Sequence, residues 1–386
     1  MTKKIISLSE PIFQGNEKKY LNECISTGWV TSGKFVNKFE KKICKYVGSK
    51  HAIALINATS AIQISLKLAG VKSGDEVLTP TLTFIAPINA IIYNCAEPIF
   101  MDCDNFYNID QDKTIEFIEN KTYIKNNFTY NKKTNKRISA VIIVHIFGNP
   151  PNIYKLKKIC NKRNIEIIED ASESLGSFYK TKSKKLIPLC KSSKFACLSF
   201  NGNKIITSGG GGMIITNNAK ISNKARYLIS QAKDDNINYI HKEIGYNFRI
   251  SNLHAAIGLA QFEKIENFLD KKRKIHEFYK KEINKIPGLS ILDNPEYAYS
   301  NNWLNILQIN HSVYNKNKKL IIKEFKKNNI EVRPVWYLNH LQRPYISKQK
   351  YKIYNSIKLH KNSICLPSSH NLSKLNLKKI IKCLKN

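Results

Sequence analysis

Short runs rich in apolar residues alternate with amphipathic stretches along the first part of the chain. Residues 51–56 and 76–80 are such runs, and residues 60–69 between them place apolar side chains at helical spacing. Apolar runs of this length predict buried strands, whereas spacings of three and four residues predict helices. The alternation therefore predicts an α/β fold with a large, doubly wound and mainly parallel sheet.

The alternation resumes after residues 118–138, a Lys- and Asn-rich interruption that we interpret as a surface excursion. Glycines at 209–212 fill the loop between two of the later predicted strands, and such a run allows close backbone approach. The elements predicted beyond the interruption are strands at 140–146, 166–169, 195–200 and 213–216 and a helix at 152–161.

A different organisation is predicted for the end of the chain. A long helical pattern follows Arg249 and continues towards residue 285. We predict a large domain over residues 1–265 and a smaller C-terminal α+β domain over residues 266–386. The patterns that indicate the smaller domain are strands at 304–309 and 330–335 and a helix at 318–328.

The chain is strongly basic, with 63 Lys and Arg against 29 Asp and Glu and a net charge of +34. Such a charge raises nucleic-acid binding as an alternative function. The lysines are spread from end to end, however, and no zinc finger, basic zipper or similar module is recognisable. We interpret the charge as a solvated surface and expect no nucleic-acid partner.

Cysteine use and hydropathy point to the cell interior. The 9 cysteines include no CxxC pair, and those at 95, 160 and 197 lie in apolar runs, as small apolar side chains do. Residues 1–16 lack an export signal, and no run reaches membrane-spanning length. We expect a cytoplasmic protein with reduced thiols, no metal site and no membrane partner.

Lys204 is the first candidate for chemistry. It follows the predicted strand 195–200 and precedes the glycine loop, so it is expected at a strand end. Ligands of open α/β sheets bind at strand ends, where a lysine can act as nucleophile or base. An exposed, inert side chain is the alternative in so Lys-rich a chain.

Asp170 and residues 57–60 complete the candidate site. Asp170 ends an apolar strand, and its carboxylate faces either a pocket or the surface of a turn. Residues 57–60 lie where a strand ends and a helix begins, and free N–H groups with the helix dipole favour a phosphate there. Thr and Ser also serve as ordinary helix caps, so this signal is weak alone.

Several segments together resemble the DegT/DnrJ/StrS sugar aminotransferases, a group of fold-type I pyridoxal phosphate (PLP) enzymes. They follow one another over nearly the whole chain, so the resemblance does not rest on one motif. The segments are Thr27–Gly33, Gly74–Phe84, Glu169–Gly176, Ser199–Thr216 and Gly245–Asn252.

The resemblance implies a role for each candidate. Lys204 would join the cofactor covalently and act as general base, and Asp170 would keep the pyridine nitrogen protonated, so that the ring withdraws electrons. Phe84 would stack on the ring. The residues that would hold the cofactor phosphate are Thr59, Ser60 and Ser199.

The resemblance also implies a homodimer with shared active sites, because Asn247 matches a position that reaches the phosphate of the neighbouring subunit's cofactor. Glu173 stands near the phenolic oxygen of the cofactor, where many relatives have Gln or His. Gly210 replaces a Glu that is frequent in the glycine loop. Neither departure touches Lys204, and the lysine favours transamination over the family's dehydratases, which carry histidine there.

The segments 201–204 and 332–336 look most like the LegC-type branch, which is linked to legionaminic acid and related bacterial glycans. This resemblance implies amino transfer from glutamate to a nucleotide-linked keto-sugar, at C4 of a UDP-4-keto-6-deoxy-N-acetylhexosamine. An alternative is a regulator or scaffold that keeps the PLP fold without turnover.

Residues that would bind the nucleotide sugar are less well marked. Arg249 and Arg333 could supply the cations that two phosphates require. Trp336 and His340 are candidates for the sugar pocket by their position in the predicted small domain, and ordinary packing is the alternative for both.

Overall fold

A computed structural model describes the chain over residues 5–181, 183, 185–189, 193–235 and 237–385. Cys190 therefore lies outside the described residues, and the other cysteines are free thiols. Within the described ranges, no helix is long and apolar enough to cross a bilayer.

Helices occupy much of the described chain. They are α1 (Glu17–Thr27), α2 (Lys34–Val47), α3 (Ala58–Leu68), α4 (Ala86–Tyr93), α5 (Gln111–Asn120), α6 (Tyr154–Lys162), α7 (Ala219–Ile229), α8 (Asn252–Phe262), α9 (Ile265–Ile283), α10 (Lys318–Lys327), α11 (Asn355–Lys361) and α12 (Lys374–Lys385).

Strands alternate with these helices up to α7 and recur after α9. They are β1 (His51–Leu55), β2 (Glu76–Pro80), β3 (Glu97–Met101), β4 (Thr122–Lys125), β5 (Phe128–Asn131), β6 (Ile138–Val144), β7 (Glu166–Asp170), β8 (Phe178–Lys180), β9 (Leu186–Pro188), β10 (Phe195–Ser199), β11 (Gly212–Thr216), β12 (Leu289–Ile291), β13 (Ala298–Tyr299), β14 (Asn305–Ile309), β15 (Arg333–Pro334), β16 (Lys350–Tyr351) and β17 (Ser363–Leu366).

The largest sheet has 8 strands in the order β1-β11-β10-β7-β6-β2-β3-β16. Only β11 runs against its neighbours, so the carboxyl ends of the other strands share one edge. Successive residues of β6 point to opposite faces: Ala140 and Ile142 join the core with α2 and α3, whereas Val141 and Ile143 join the core with α5 and α6. The predicted doubly wound, mainly parallel sheet is confirmed.

A second core lies under an antiparallel sheet with the order β12-β14-β17-β15. Helix α9 connects the two cores, because Phe268 and Leu269 pack in the first while Ile275 and Tyr279 pack in the second. Residues from both ends of the chain cross between these parts: β16 pairs with β3 in the large sheet, and Ile6 bridges Ile330. The division at residue 265 stays a prediction.

Some local predictions were wrong. The long helix expected after Arg249 is two helices, because the chain turns at residues 263–264 between α8 and α9. The interruption at 118–138 contains the end of α5 and the hairpin of β4 and β5, which packs on β6. In the segment 330–335, only Arg333 and Pro334 form a strand.

Asp102 ties the large sheet to the C-terminal part of the chain. Its carboxylate, fully buried after β3, accepts hydrogen bonds from the backbone N–H groups of Tyr354, Asn355 and Ser356 at the start of α11. Lys113 Nζ lies 2.6 Å from the same carboxylate. Burial alone would raise the pKa of Asp102, but the bonds from Lys113 and Ser356 outweigh it and lower that pKa to about 2.

Asp102→Asn should therefore lower the free energy of unfolding by about 2 kcal/mol at pH 7, because an amide presents an N–H group to Lys113 and the helix start. A carboxylate with a lowered pKa stabilises the fold above its unfolded value and loses this effect as the pH falls. The difference in free energy of unfolding between wild type and variant should become smaller as the pH falls from about 4 towards about 2. Urea unfolding at several pH values measures it.

Asp112→Asn is the matched control, since the side chain of Asp112 is 77% exposed on the neighbouring helix α5. We expect this variant to unfold within about 0.5 kcal/mol of the wild type. Equal free energies of unfolding for Asp102→Asn and the control would show that the contacts of the Asp102 carboxylate do not stabilise the fold.

Candidate active site

The carboxyl edge of the large sheet opens into a cavity of about 740 Å³. Strand ends of the large sheet form one wall, and residues 303–342 form the other. The lining residues used below are Asn57, Thr59, Phe84, Asp170, Glu173, Ser199, Asn203, Lys204, Gly210, Gly211, Trp303, Arg333, Trp336 and Asn339.

Lys204 points into this cavity from the turn that follows β10. Its N–H donates to the carbonyl of Asn201 at 3.0 Å, which closes the turn. Its Nζ lies 3.6 Å from Oε1 of Glu173, and only 14% of the side chain is exposed. The lysine is therefore a half-enclosed amine beside a carboxyl group, as its predicted position at a strand end required.

Asp170 lies at the end of β7 and is also buried. One of its carboxylate oxygens accepts a hydrogen bond from the backbone N–H of Ser172 at 3.1 Å. Burial raises the pKa of Asp170, and the bond from Ser172 and the charge of Lys204 oppose that rise. A ligand that brings a cation to this carboxylate would favour its ionised form.

Glu173 is the second buried carboxyl group beside Lys204. Burial raises the pKa of Glu173 to about 7, against the opposing charge of Lys204 and a backbone hydrogen bond. That bond comes from the N–H of Phe147 at 2.7 Å. Phe147 adopts a left-handed conformation with φ 55°, so the loop after β6 is bent to present its N–H to Glu173.

The first turn of α3 forms an anion cradle at the cavity. The side chain of Asn57 caps the helix by accepting from the N–H of Ser60 at 2.8 Å, and Thr59 lines the cavity. Neighbouring N–H groups of a helix start lack intrahelical partners, and the dipole adds positive potential. At Gly212, an added Cβ would lie 2.4 Å from the N of Ala58, so glycine permits β11 to approach this turn.

Phe84 presents its ring to the cavity and is 61% exposed. The loop before it is fixed by Asn339, whose Nδ2 donates to the carbonyls of Thr81 at 3.1 Å and Thr83 at 2.8 Å. The ring of Trp336 meets that of Phe84 edge-on at 6.5 Å. An exposed ring on a fixed loop is suited to stacking against a flat ligand.

The structure brings most, but not all, of the predicted site residues together. Ser199, Arg333 and Trp336 line the cavity, and Arg333 is also paired with Glu331 at 2.8 Å. Ser60 lies buried in the first turn of α3, behind the lining residues. His340 is buried as well, and its Nδ1 lies 2.7 Å from the hydroxyl of Thr81. His340 therefore packs against the loop of Phe84 and is not among the residues that line this cavity, and its role in a sugar pocket stays a prediction.

Asn247 and Arg249 are exposed and are not among the lining residues described for this chain. They belong to an extended strip in which Phe248 accepts from the N–H of Ile56 at 2.8 Å. Ile56 directly precedes the Asn57 cap, so the strip runs beside the anion cradle.

Sequence reasoning missed Trp303 and Asn339. Trp303 lies just before β14, and its ring centre is 3.8 Å from Nζ of Lys204. Its position between an Asn pair and a predicted strand gave only the weak signal of a tryptophan at a strand start. Asn339 stands next to the predicted His340 and carries the loop contacts described above.

These residues fit the chemical groups of PLP. A buried carboxylate suits its protonated ring nitrogen, the amine of Lys204 suits its aldehyde, and the anion cradle suits its phosphate. Phe84 offers a stacking face for the ring. No set of three or more His, Cys, Asp or Glu side chains within the described ranges is arranged to hold a metal ion.

The model of the DegT/DnrJ/EryC1/StrS aminotransferase family matches residues 11–385. GDP-perosamine synthase of Vibrio cholerae is 32% identical over 386 residues, which cover 99% of this chain and 99% of that protein. UDP-4-amino-4,6-dideoxy-N-acetyl-β-L-altrosamine transaminase of Campylobacter jejuni serotype O:2 is 32% identical over 286 residues, covering 74% of this chain and 71% of that protein.

Crystal structures of similar fold include PseC of Helicobacter pylori, an aminotransferase involved in the biosynthesis of pseudoaminic acid. It superposes with a TM-score of 0.87 at 24% identity and covers 99% of this chain and 98% of that chain. At this identity the likeness concerns the fold alone. The family match and the curated relatives go further: the chain belongs to the DegT/DnrJ/EryC1/StrS family and is a PLP-dependent sugar aminotransferase.

Proposed function

We propose that the protein transfers an amino group from glutamate to C4 of a UDP-4-keto-6-deoxy-N-acetylhexosamine, for legionaminic acid or a related bacterial surface glycan. The observation that carries the proposal is the arrangement of Lys204, Asp170 and the anion cradle around one cavity. The 4-amino-4,6-dideoxy-N-acetyl sugar in the name of the Campylobacter relative supports the choice of substrate.

Lys204 is proposed to hold the cofactor covalently and to move the proton in each half of the reaction. PLP, when bound, supplies a ring that withdraws electrons from the carbon bearing the amino group. Nζ of Lys204 would take the proton from the α-carbon of glutamate and return a proton to C4 of the sugar. The near enclosure of this side chain keeps competing water away from the amine.

Asp170 and Glu173 are proposed to set the charge around the cofactor. Asp170 would face the ring nitrogen, where its buried carboxylate favours the protonated ring. Glu173, whose pKa is raised to about 7, can hold a proton at neutral pH and donate it to the phenolic oxygen. Thr59, Ser199 and the α3 start would bind the phosphate, with Ser60 supporting the turn from behind.

We also propose a cytoplasmic homodimer in which each subunit completes the site of the other. Asn247 and Arg249 are exposed and do not line the cavity of their own chain, although their strip runs beside its anion cradle. The preceding segment exposes the apolar side chains of Ile237, Tyr239 and Ile244, which a second copy would cover. Asn247 would then reach the partner's cofactor phosphate, and Arg249 a phosphate of the nucleotide.

The nucleotide sugar is proposed to enter along the wall formed by the C-terminal part of the chain. Arg333 and Trp336 line this wall and can contact a diphosphate and a sugar or base, respectively. The GDP sugar in the name of the Vibrio relative makes a GDP-linked substrate the second candidate.

Lys204→Ala should remove the visible absorption band of the lysine-linked cofactor and abolish turnover, since among the described residues Lys204 is the only lysine that lines the cavity. Lys274→Ala is the matched control, because the side chain of Lys274 is 75% exposed on α9. Glutamate should bleach the band of the wild type and of this control. A band that glutamate leaves unchanged would instead indicate a regulator or scaffold without turnover.

Mixing two defective variants tests the shared site. Lys204→Ala and Asn247→Ala should each be severely impaired alone, whereas a mixed dimer contains one site with both native residues. Random exchange of subunits should restore about a quarter of the wild-type activity. Absence of recovery, with subunit exchange verified by mass spectrometry, would refute the assignment of Asn247 to the partner's site.

A panel of UDP-, GDP- and dTDP-linked 3-keto and 4-keto sugars, each with glutamate, tests the substrate. We expect NMR of the products to show an amino group at C4, and turnover of the UDP-linked N-acetyl sugar to exceed that of the others by at least about 10-fold. Preference for a GDP-linked sugar would overturn the proposed nucleotide and leave the reaction class intact.

A further inference from the structure

We propose that Trp303 is a positioning residue for Lys204: its ring face receives the ammonium group of this lysine whenever the lysine is not linked to the cofactor, and its indole N–H fixes the backbone that carries the lysine. The inference rests on the proposed role of Lys204 and extends it to the state in which the lysine is free.

The ring contact is direct. Nζ of Lys204 lies 3.8 Å from the centre of the Trp303 ring, closer than in any other lysine–aromatic contact found for the described residues. Trp303 is 1% exposed, so this interaction is shielded from water on the side of the ring. Cation–π attraction is strongest for tryptophan and grows when the pair is desolvated.

The indole N–H makes a second contact with the same turn. It donates to the carbonyl of Asn203 at 2.7 Å, and Asn203 directly precedes Lys204. The hydroxyl of Ser9 donates to the same carbonyl at 3.0 Å. One side chain thus binds both the amine of Lys204 and the backbone at the base of its side chain.

Trp303 is itself held from both sides of its backbone. Its N–H donates to Oδ1 of Asn301 at 2.9 Å, and its carbonyl accepts from Nζ of Lys272 at 2.9 Å. Asn301 also donates to the carbonyls of Glu173 and Leu175 at 2.8 and 2.9 Å. The indole is therefore fixed relative to Glu173, the other group next to the amine.

The proposed reaction frees Lys204 from the cofactor, and the free amine then needs a stabilising partner. When a donor amine displaced the lysine, the donor nitrogen would bond to the cofactor as the bond from Lys204 broke, and the donor's two amine protons would pass to Nζ of Lys204. Taking up the α-proton would then make Lys204 an ammonium ion in a site that is 14% exposed. The face of the Trp303 ring offers it negative potential without covalent capture, and an oxygen of the Glu173 carboxyl group lies 3.6 Å from Nζ.

The half-reaction with glutamate measures this stabilisation, because visible absorption reports the ratio of lysine-linked to aminated cofactor. Trp303→Leu removes the ring and should shift the equilibrium constant towards the linked form by about 10-fold. Trp303→Phe keeps a ring and should stay within about 3-fold of the wild type, although loss of the N–H bond should slow linking of the cofactor. A purely structural tryptophan would lower thermal stability in Trp303→Leu and leave this equilibrium within about 2-fold of the wild type, which would overturn the inference.

Fluorescence gives a readout that needs no cofactor and no change at Trp303. The chain has 3 tryptophans, so Trp29→Phe with Trp336→Phe leaves Trp303 as the sole indole emitter. Adding Lys204→Met to this cofactor-free protein removes the ammonium from the ring and should change the emission maximum or intensity. An unchanged spectrum would overturn the inference even if Trp303→Leu failed to fold. Lack of a lysine-linked band in the wild type would instead refute the proposed function.

Discussion

Charge compensation around one half-enclosed amine is the interaction on which the site depends. Asp170 and Glu173 are both buried, and burial raises the pKa of each, so neither would be readily ionised by itself. The charge of Lys204 opposes this rise at both. Under the proposed roles, linking Lys204 to the cofactor would remove its ammonium charge, and another cation would have to balance Asp170. The protonated ring nitrogen of PLP would supply that cation, so the charge of Asp170 would be balanced both with and without the cofactor.

The fold can assemble these groups because every strand of the large sheet except β11 has the same direction. Asn57, Asp170 and Ser199 are far apart in sequence, yet each lies at or just after the carboxyl end of a strand, and these ends share an edge. The reversed strand β11 is equally necessary for the site. It passes close to the start of α3, and this close approach requires a residue without a side chain at Gly212. The anion cradle therefore depends on one glycine as well as on a helix dipole.

Local pattern was sufficient to predict β1, β7 and α3 to within about two residues, because their apolar periodicity is set by burial on the sheet. It also marked Asp170, which ends β7, and Lys204, which lies in the turn after β10. It failed at the turn between α8 and α9, where residues 263–264 carry no Gly or Pro signal. It could not show the contact of His340 with Thr81, because these residues are 259 positions apart along the chain. The role of Trp303 could not be predicted from local pattern either. Its contacts with Asn203 and Lys204 are distant in sequence and form only when the C-terminal part packs on the sheet edge. The roles proposed for Asn247 and Arg249 require a second chain, and contacts between chains leave no pattern within a single sequence.

The two walls of the cavity have different proposed tasks: one supplies the groups that carry out the reaction, and the other contacts the sugar substrate. Groups that any PLP aminotransferase needs, namely the lysine, the buried carboxylate and the anion cradle, come from the strand ends of the large sheet. The opposite wall carries Arg333 and Trp336, and Asn301 and Asn339 fix it to the loops at the sheet edge, while Asp102 fixes the start of α11 farther along the chain. Those anchors bind backbone groups, so side chains on the opposite wall can vary without disturbing the charge balance around Lys204. Changes in which sugar is accepted should therefore be found on this wall, whereas changes at the sheet edge should alter the reaction itself.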